Sequence, residues 1–190
     1  MARGEHVKVW LALVHHPVVD RQGEVITTAV TNLDVHDIAR SARTYDLAGY
    51  FIVTPIEAQR LLVERILSHW RDGAGARRVP ERSEALGRVT IVSSLEEAAA
   101  HVEAAAGESP LTVVTSARVS RATTGYRALT AELETRPGLL VFGTGHGLAG
   151  SVMAAADRVL APIQPGASYN HLSVRAAVAI TLDRLFGHFD

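Results

Sequence analysis

The chain has 190 residues, 19 basic and 20 acidic, so it reads as one domain over residues 1–190 with room for a hydrophobic core and a formal net charge of −1. That balance excludes a basic field over the whole protein. Contact with nucleic acid has to use a local patch or a groove between two copies. The absence of cysteine removes disulfides, a thiolate nucleophile and thiolate metal sites together.

The residues from Met1 to Val7 are polar, and no apolar run approaches the roughly 20 residues of a membrane span, which predicts a cytoplasmic protein with no membrane partner. Val7 to Val14 is β-rich and reads as a central strand, stopped by His15-His16-Pro17. Asp20-Arg21-Gln22-Gly23 is turn chemistry, and Val25 to Val30 leads out of it as a short extended piece. Asn32 to Tyr45 predicts a helix capped by Asn32 or Asp34, with Asp34 and Asp37 near the positive end of its dipole and Asp37, Arg40 and Thr44 on one face. Gly49 releases that helix into a strand at Tyr50 to Val53, ended by Thr54-Pro55. Ile56 to Trp70 follows as a helix whose apolar stripe is Leu62, Ile66 and Trp70. Arg71 to Arg88 mixes glycine, proline and arginine and reads as a surface excursion, helical around Ser83 to Leu86.

Val89 to Val92 is a strand, Ser94 to Ala105 a helix capped by Ser93 or Ser94, and Leu111 to Thr115 another strand. After a polar loop with Arg118 and Arg121, Tyr126 to Glu134 forms a helix ended by Pro137-Gly138. The apolar run Leu139 to Phe142 then breaks into Gly143-Thr144-Gly145-His146-Gly147, a strand delivering a tight loop whose backbone approaches something closely. Its spacing matches neither the phosphate loop nor the dinucleotide fingerprint. A short helix at Ala149 to Ala156, a strand at Arg158 to Ala161, a second loop at Pro162 to Ser168 and a broadly apolar helix from His171 to Gly187 complete the chain. Strands alternating with helices predict an α/β fold with a mostly parallel sheet and helices on both faces.

Three stretches carry a resemblance: Asn32 to Arg40, Leu140 to Leu148, and Ser168-Tyr169-Asn170-His171-Leu172-Ser173-Val174-Arg175-Ala176-Ala177. Together they resemble the three motifs of the SPOUT class of RNA methyltransferases, trefoil-knotted α/β proteins. They look closest to the small bacterial SAM-dependent RNA methyltransferase family, which is also found attached to the tRNA (guanine-N(1))-methyltransferase in some thermophiles. The resemblance implies a C-terminal knot over about residues 139–187, a homodimer, S-adenosylmethionine as methyl donor (leaving as S-adenosylhomocysteine), and a tRNA or rRNA substrate in place of DNA. Carried over by match, the cofactor loops are Thr115-Ser116-Ala117, Phe142-Gly143-Thr144-Gly145 with Gly147 and Leu148, and Ile163 with Ser168, Asn170, Leu172 and Ser173. An adenine slot needs small residues and apolar walls, which these loops supply.

Methyl transfer needs alignment of a nucleophile behind the methyl group and, in some cases, a proton acceptor. The resemblance makes Arg40 the first catalytic candidate. Its ordinary pKa is too high for a base, so its donor fork would orient phosphate or the target nucleotide, and the plainer alternative is a helix-face ion pair with Asp37. Asn32 serves either as helix cap or in the site. Asp34 and Asp37 could accept a proton from a base nitrogen, or simply complement the helix dipole. The glycine loop lacks the glutamate common in the 2'-O-methylating branch, and His146 stands in that stretch either to contact substrate or to fill a turn. His15 and His16 point to opposite sides of an extended chain, and no metal constellation forms with His36 and His171, so no metal is expected. Arg175 is placed to anchor a carboxylate or a partner chain. Arg71, Arg77, Arg78, Arg82, Arg118 and Arg121 are loop arginines that either reach RNA phosphates or form a solvated surface. The leading function is therefore a SAM-dependent RNA methyltransferase. A non-catalytic SAM-binding module for dimerisation or RNA docking is the alternative, and it would allow Arg40 to be fully occupied in a structural salt bridge.

Overall fold

The computed structural model describes residues 7–118, 123–164 and 169–187. Six parallel strands form its sheet: β1 (Val7–Val14), β4 (Leu47–Val53), β5 (Val89–Val92), β6 (Leu111–Val114), β7 (Gly138–Gly143) and β8 (Arg158–Val159), in the order β5-β4-β1-β7-β6-β8. A small antiparallel hairpin, β2 (Val18–Val19) and β3 (Val25–Ile26), hangs off the end of β1. The helices are α1 (Asn32–Thr44), α2 (Glu57–Arg71), α3 (Ala74–Arg78), α4 (Pro80–Gly87), α5 (Leu95–Ala106), α6 (Tyr126–Leu133), α7 (Gly150–Ala155) and α8 (Val174–Phe186).

β1 is central, as its unbroken apolar run requires, and its alternation sends side chains to two separate cores. Leu11 and Leu13 join Leu140 and Phe142 of β7 beneath α1, α2, α4, α6 and α8. Ala12 and Val14 join Leu139 and Val141 beneath α5 and α7. α8 buries Val178, Leu182 and Leu185 within this chain, against α1 and α6. Among the described residues no helix is long and apolar enough to cross a membrane.

Several local readings differ from expectation. Thr31 caps α1, accepting from the Asp34 amide at 3.2 Å and donating its hydroxyl to the Asp34 carboxylate at 2.7 Å. The reason is that Asn32 already lies inside the first turn. Asp46 with φ 55°, not Gly49, turns the chain out of α1, while Gly49 sits in β4 under the Trp10 ring, where a Cβ would lie 2.6 Å from Cδ1. On α2 the buried face is Val63 and Leu67, and the expected stripe faces outward, with Leu62 exposed and Ile66 and Trp70 only partly covered. The excursion after α2 is more helical than its glycines suggested, because Pro80 starts α4 and Ala85 and Leu86 anchor it in the core.

Candidate functional site

Parallel strands deliver their following loops to one edge of the sheet, and the loops after β6, β7 and β8 leave from adjacent strands. These are the stretches around Thr115 to Ala117, Gly143 to Leu148 and Ile163, so the topology gathers what the sequence scatters over some fifty positions. Thr115 is fastened by its amide and hydroxyl to the Val141 carbonyl, each at 3.1 Å. The Ser116 hydroxyl is held by the Arg118 backbone. Asn170 donates to the Ile163 carbonyl at 3.0 Å, tying the segment before α8 to the loop after β8. Ser173 caps α8. Ser168, Pro165, Gly166 and Arg121 lie outside the described residues.

What the glycine loop approaches closely is, first, its own chain. His146 donates to Val19 O at 2.9 Å, Val19 donates back to Gly147 O at 2.9 Å, and Ala149 donates to Pro17 O. Gly145 takes φ +61°, and a Cβ there would stand 3.0 Å from Val19 O. Thr144 hydrogen-bonds Val14 O through both amide and hydroxyl, and its hydroxyl also meets that of Thr28. Thr28 in turn bonds His15 Nδ1 at 3.0 Å. His15 is fully buried, and burial lowers its pKa to about 4 against the opposing pull of Asp34, so the ring is neutral. The side chains of Phe142 and Leu148 are core, on opposite sides of the sheet. Gly147, at φ +120°, faces open space.

Helix α1 carries the candidate catalytic residues Asn32, Asp34, Asp37 and Arg40. Asp34 is nearly buried and pairs with Arg175 of α8 at 2.7 Å. Asp37 lies 3.5 Å from Arg175 Nε and 4.0 Å from Arg40, whose side chain is 60% exposed. Arg175 thus couples the start of α8, and the loop before it, to the face of α1 that carries Asn32, Asp37 and Arg40. No group able to hold a metal ion occurs among the described residues.

From residue 8 to residue 187, the sequence matches the family described as SAM-dependent RNA methyltransferase. The chain belongs to that family. A tRNA (guanine-N(1)-)-methyltransferase of Oleidesulfovibrio alaskensis is 45% identical over 179 residues, which is 94% of this chain and 42% of that protein. The chain therefore spans less than half the length of that relative. A protein of Aquifex aeolicus is 43% identical over 94% of this chain and 88% of its own length. Among solved structures, a methylase family protein from Neisseria gonorrhoeae superposes with TM-score 0.64 at 18% identity, covering 98% of this chain and 85% of its own. The SpoU methyltransferase AviRb of Streptomyces viridochromogenes, solved with AdoMet, superposes with TM-score 0.56 at 17% identity, covering 97% of this chain and 58% of its own. The fold is accordingly an α/β fold with a parallel central sheet flanked by helices, as in these methylase structures, and the family is of the SPOUT class.

Within that frame the arginines expected in loops divide, and Arg71, Arg77, Arg78 and Arg82 lie in helices α2, α3 and α4 instead. Arg71 donates to Val89 O at 2.6 Å and is a structural strut, while Arg77, Arg78 and Arg118 are exposed. Arg82 lies over the Trp70 ring at 5.0 Å. Sequence reasoning passed over Arg65 and His69, which share the outward face of α2 with Leu62 and Trp70. Their three- and four-residue spacing was the available signal. It also passed over Gln59, which holds the approach to α1 through Val30 N at 2.8 Å and Thr28 O at 3.3 Å.

Proposed function

We propose that the domain, residues 1–190 folding as one unit, transfers a methyl group from S-adenosylmethionine to a base or ribose of tRNA or rRNA. The observation that supports the proposal is the Arg175 clamp, which ties the start of α8 to Asp34 and Asp37 on the α1 segment that also carries Asn32 and Arg40. The donor set fits the cofactor: uncharged Thr115, Ser116, Gly143 and Gly147, with half-buried Ile163 and exposed Leu172 to flank an adenine. Backbone groups of Thr115 to Ala117, Gly143 to Leu148, Asn170 and Ser173 would hold it, since the side chains of Phe142, Thr144 and Leu148 are committed within the fold. Bound there, the donor supplies an electrophilic methyl on a sulfonium. Arg40 orients the nucleotide or its phosphate through its guanidinium fork. Asp37, half-exposed and loosely paired, accepts the proton that the nucleophile gives up, while Asp34 positions Arg175. Asn32, exposed in the first turn of α1, contacts the substrate beside them.

A binding module without chemistry is disfavoured by Arg40 itself, whose 4.0 Å pair with Asp37 leaves 60% of the side chain exposed. A homodimer completes the reading, because Tyr169 and Leu172 are 72% and 45% exposed and large enough to call for cover, and the cytoplasm is the compartment in which such an RNA substrate is met. Calorimetry with S-adenosylmethionine should give one site per chain. Transfer of labelled methyl to bacterial tRNA and rRNA should fall at least about a hundredfold in Arg40→Ala, with cofactor binding kept. Full transfer by Arg40→Ala would remove Arg40 from the mechanism, and absent cofactor binding would sink the proposal. Leu172→Glu should shift sedimentation from dimer to monomer.

A further inference from the structure

The outward stripe of α2 does not face empty solvent alone. Helices α1, α2 and α4 enclose a groove of about 600 Å³. Leu33, Leu62, Ile66 and Trp70 make its apolar wall. Arg40, Arg65 and Arg82, with His36 and His69, make its polar rim, against the single carboxylate of Asp37. In a chain of net charge −1 this is a local cationic concentration. Asp37 already faces Arg175 and Arg40, and no carboxylate among the described residues pairs with Arg65 or Arg82. The Nδ1 atom of His36 is buried with no hydrogen-bond partner, and its ring stands edge-on to Trp70 at 5.4 Å. Trp70 is held in place from beneath by α3, where a Cβ on Gly75 would lie 2.7 Å from the indole.

We propose that this groove binds a single-stranded segment of the substrate RNA, with phosphates on Arg40, Arg65 and Arg82 and one unstacked base against the apolar wall. The inference rests on the proposed function, since Asn32, Asp37 and Arg40 line both the groove and the proposed reaction centre. Two guanidiniums with no ion pair among the described residues and a third held only by a long pair favour a polyanion, the apolar wall and the unpartnered imidazole nitrogen favour a base, and the volume admits a nucleotide. A second copy is the poorer occupant. A two-fold contact presents the same patch twice, which would set three arginines of one copy against three of the other with only Asp37 from each to offset them.

The test uses fluorescence anisotropy of the full chain with a labelled mixed-sequence single-stranded RNA, at several salt concentrations. Arg65→Glu/Arg82→Glu should bind about tenfold more weakly or worse, and the slope of log affinity against log salt should flatten by about 0.7 for each phosphate no longer neutralised. Arg65→Glu alone, on an exposed helix position, should give a smaller loss in the same direction. Arg127→Glu, an exposed arginine outside the groove, should bind as wild type. Unchanged RNA affinity in the double variant overturns the inference, and so does conversion of a dimer to a monomer by that variant with RNA binding intact. Displacement of the RNA by polyglutamate as readily as by unlabelled RNA also overturns it. Calorimetric S-adenosylmethionine binding reads the proposed function separately: it should survive in the double variant, and its absence from wild type would remove that function without touching the anisotropy result.

Discussion

The glycine loop after β7 and the groove between α1, α2 and α4 both collect residues that look made for chemistry, but they treat their polar groups in opposite ways. In the loop, Thr144, His146 and Gly147 are bonded to Val14, Val19 and one another, and the network runs inward through Thr28 to a neutral, buried His15. In the groove, Arg65 and Arg82 carry no ion pair among the described residues and His36 Nδ1 has no partner. A loop whose donors are satisfied internally is a preorganised frame for a ligand held by backbone and shape. A groove whose donors are left over waits for an anion to complete it.

The largest blow to the frame should come through pH. Native His15 titrates near 4 and an unfolded histidine at 6.5, so the neutral ring's contribution is complete above 6.5 and is lost as pH falls toward 4, on the order of 3 kcal/mol in all. His15→Gln should flatten the pH dependence of the urea midpoint across that window, and an unchanged slope would place the burial penalty elsewhere. Next, Arg175→Ala leaves the nearly buried Asp34 carboxylate without its cation, held only by the Thr31 hydroxyl, and should cost about 2–3 kcal/mol by chemical denaturation. Asp34→Asn/Arg175→Met should recover part of it. Gly145→Ala should cost about 1–2 kcal/mol from its left-handed backbone and the crowding by Val19 O. That cost should appear in a variant without any ligand, so loss of cofactor binding there reports on the frame. The smallest effect belongs to the open side: Arg40→Ala should change stability by no more than about 0.5 kcal/mol, because its ion pair is exposed and long. Methyl transfer should nonetheless collapse, and a large stability loss would instead make Arg40 structural.

Much of this was legible in the chain. The position of β1, the helix at Asn32, the strand into Gly143 and a cap at Ser93 or Ser94, of which the fold uses Ser94, followed from apolar runs and turn residues, because those are local energies. The three family motifs were legible as residue patterns. The outward turn of Leu62, Ile66 and Trp70 was not, since an apolar stripe at helical spacing does not say which apolar stripe the core accepts, and here Val63 and Leu67 were taken. Nor was the target of the glycine loop's close approach: glycine announces proximity without naming the neighbour, and Val19 is more than a hundred residues away in sequence.

By itself, then, the sequence determined the alternation of strand and helix, the lack of thiol chemistry and the family to which the chain belongs. Each of these depends on residue identity and short-range spacing. Tertiary structure decided which polar groups are used up inside the fold and which are left for a ligand. Asp34 and Asp37 stand three residues apart on one helix, yet the first is buried against Arg175 and the second is left half-exposed. That difference arises from which side of α1 meets α8, a long-range packing outcome that no spacing along the chain encodes.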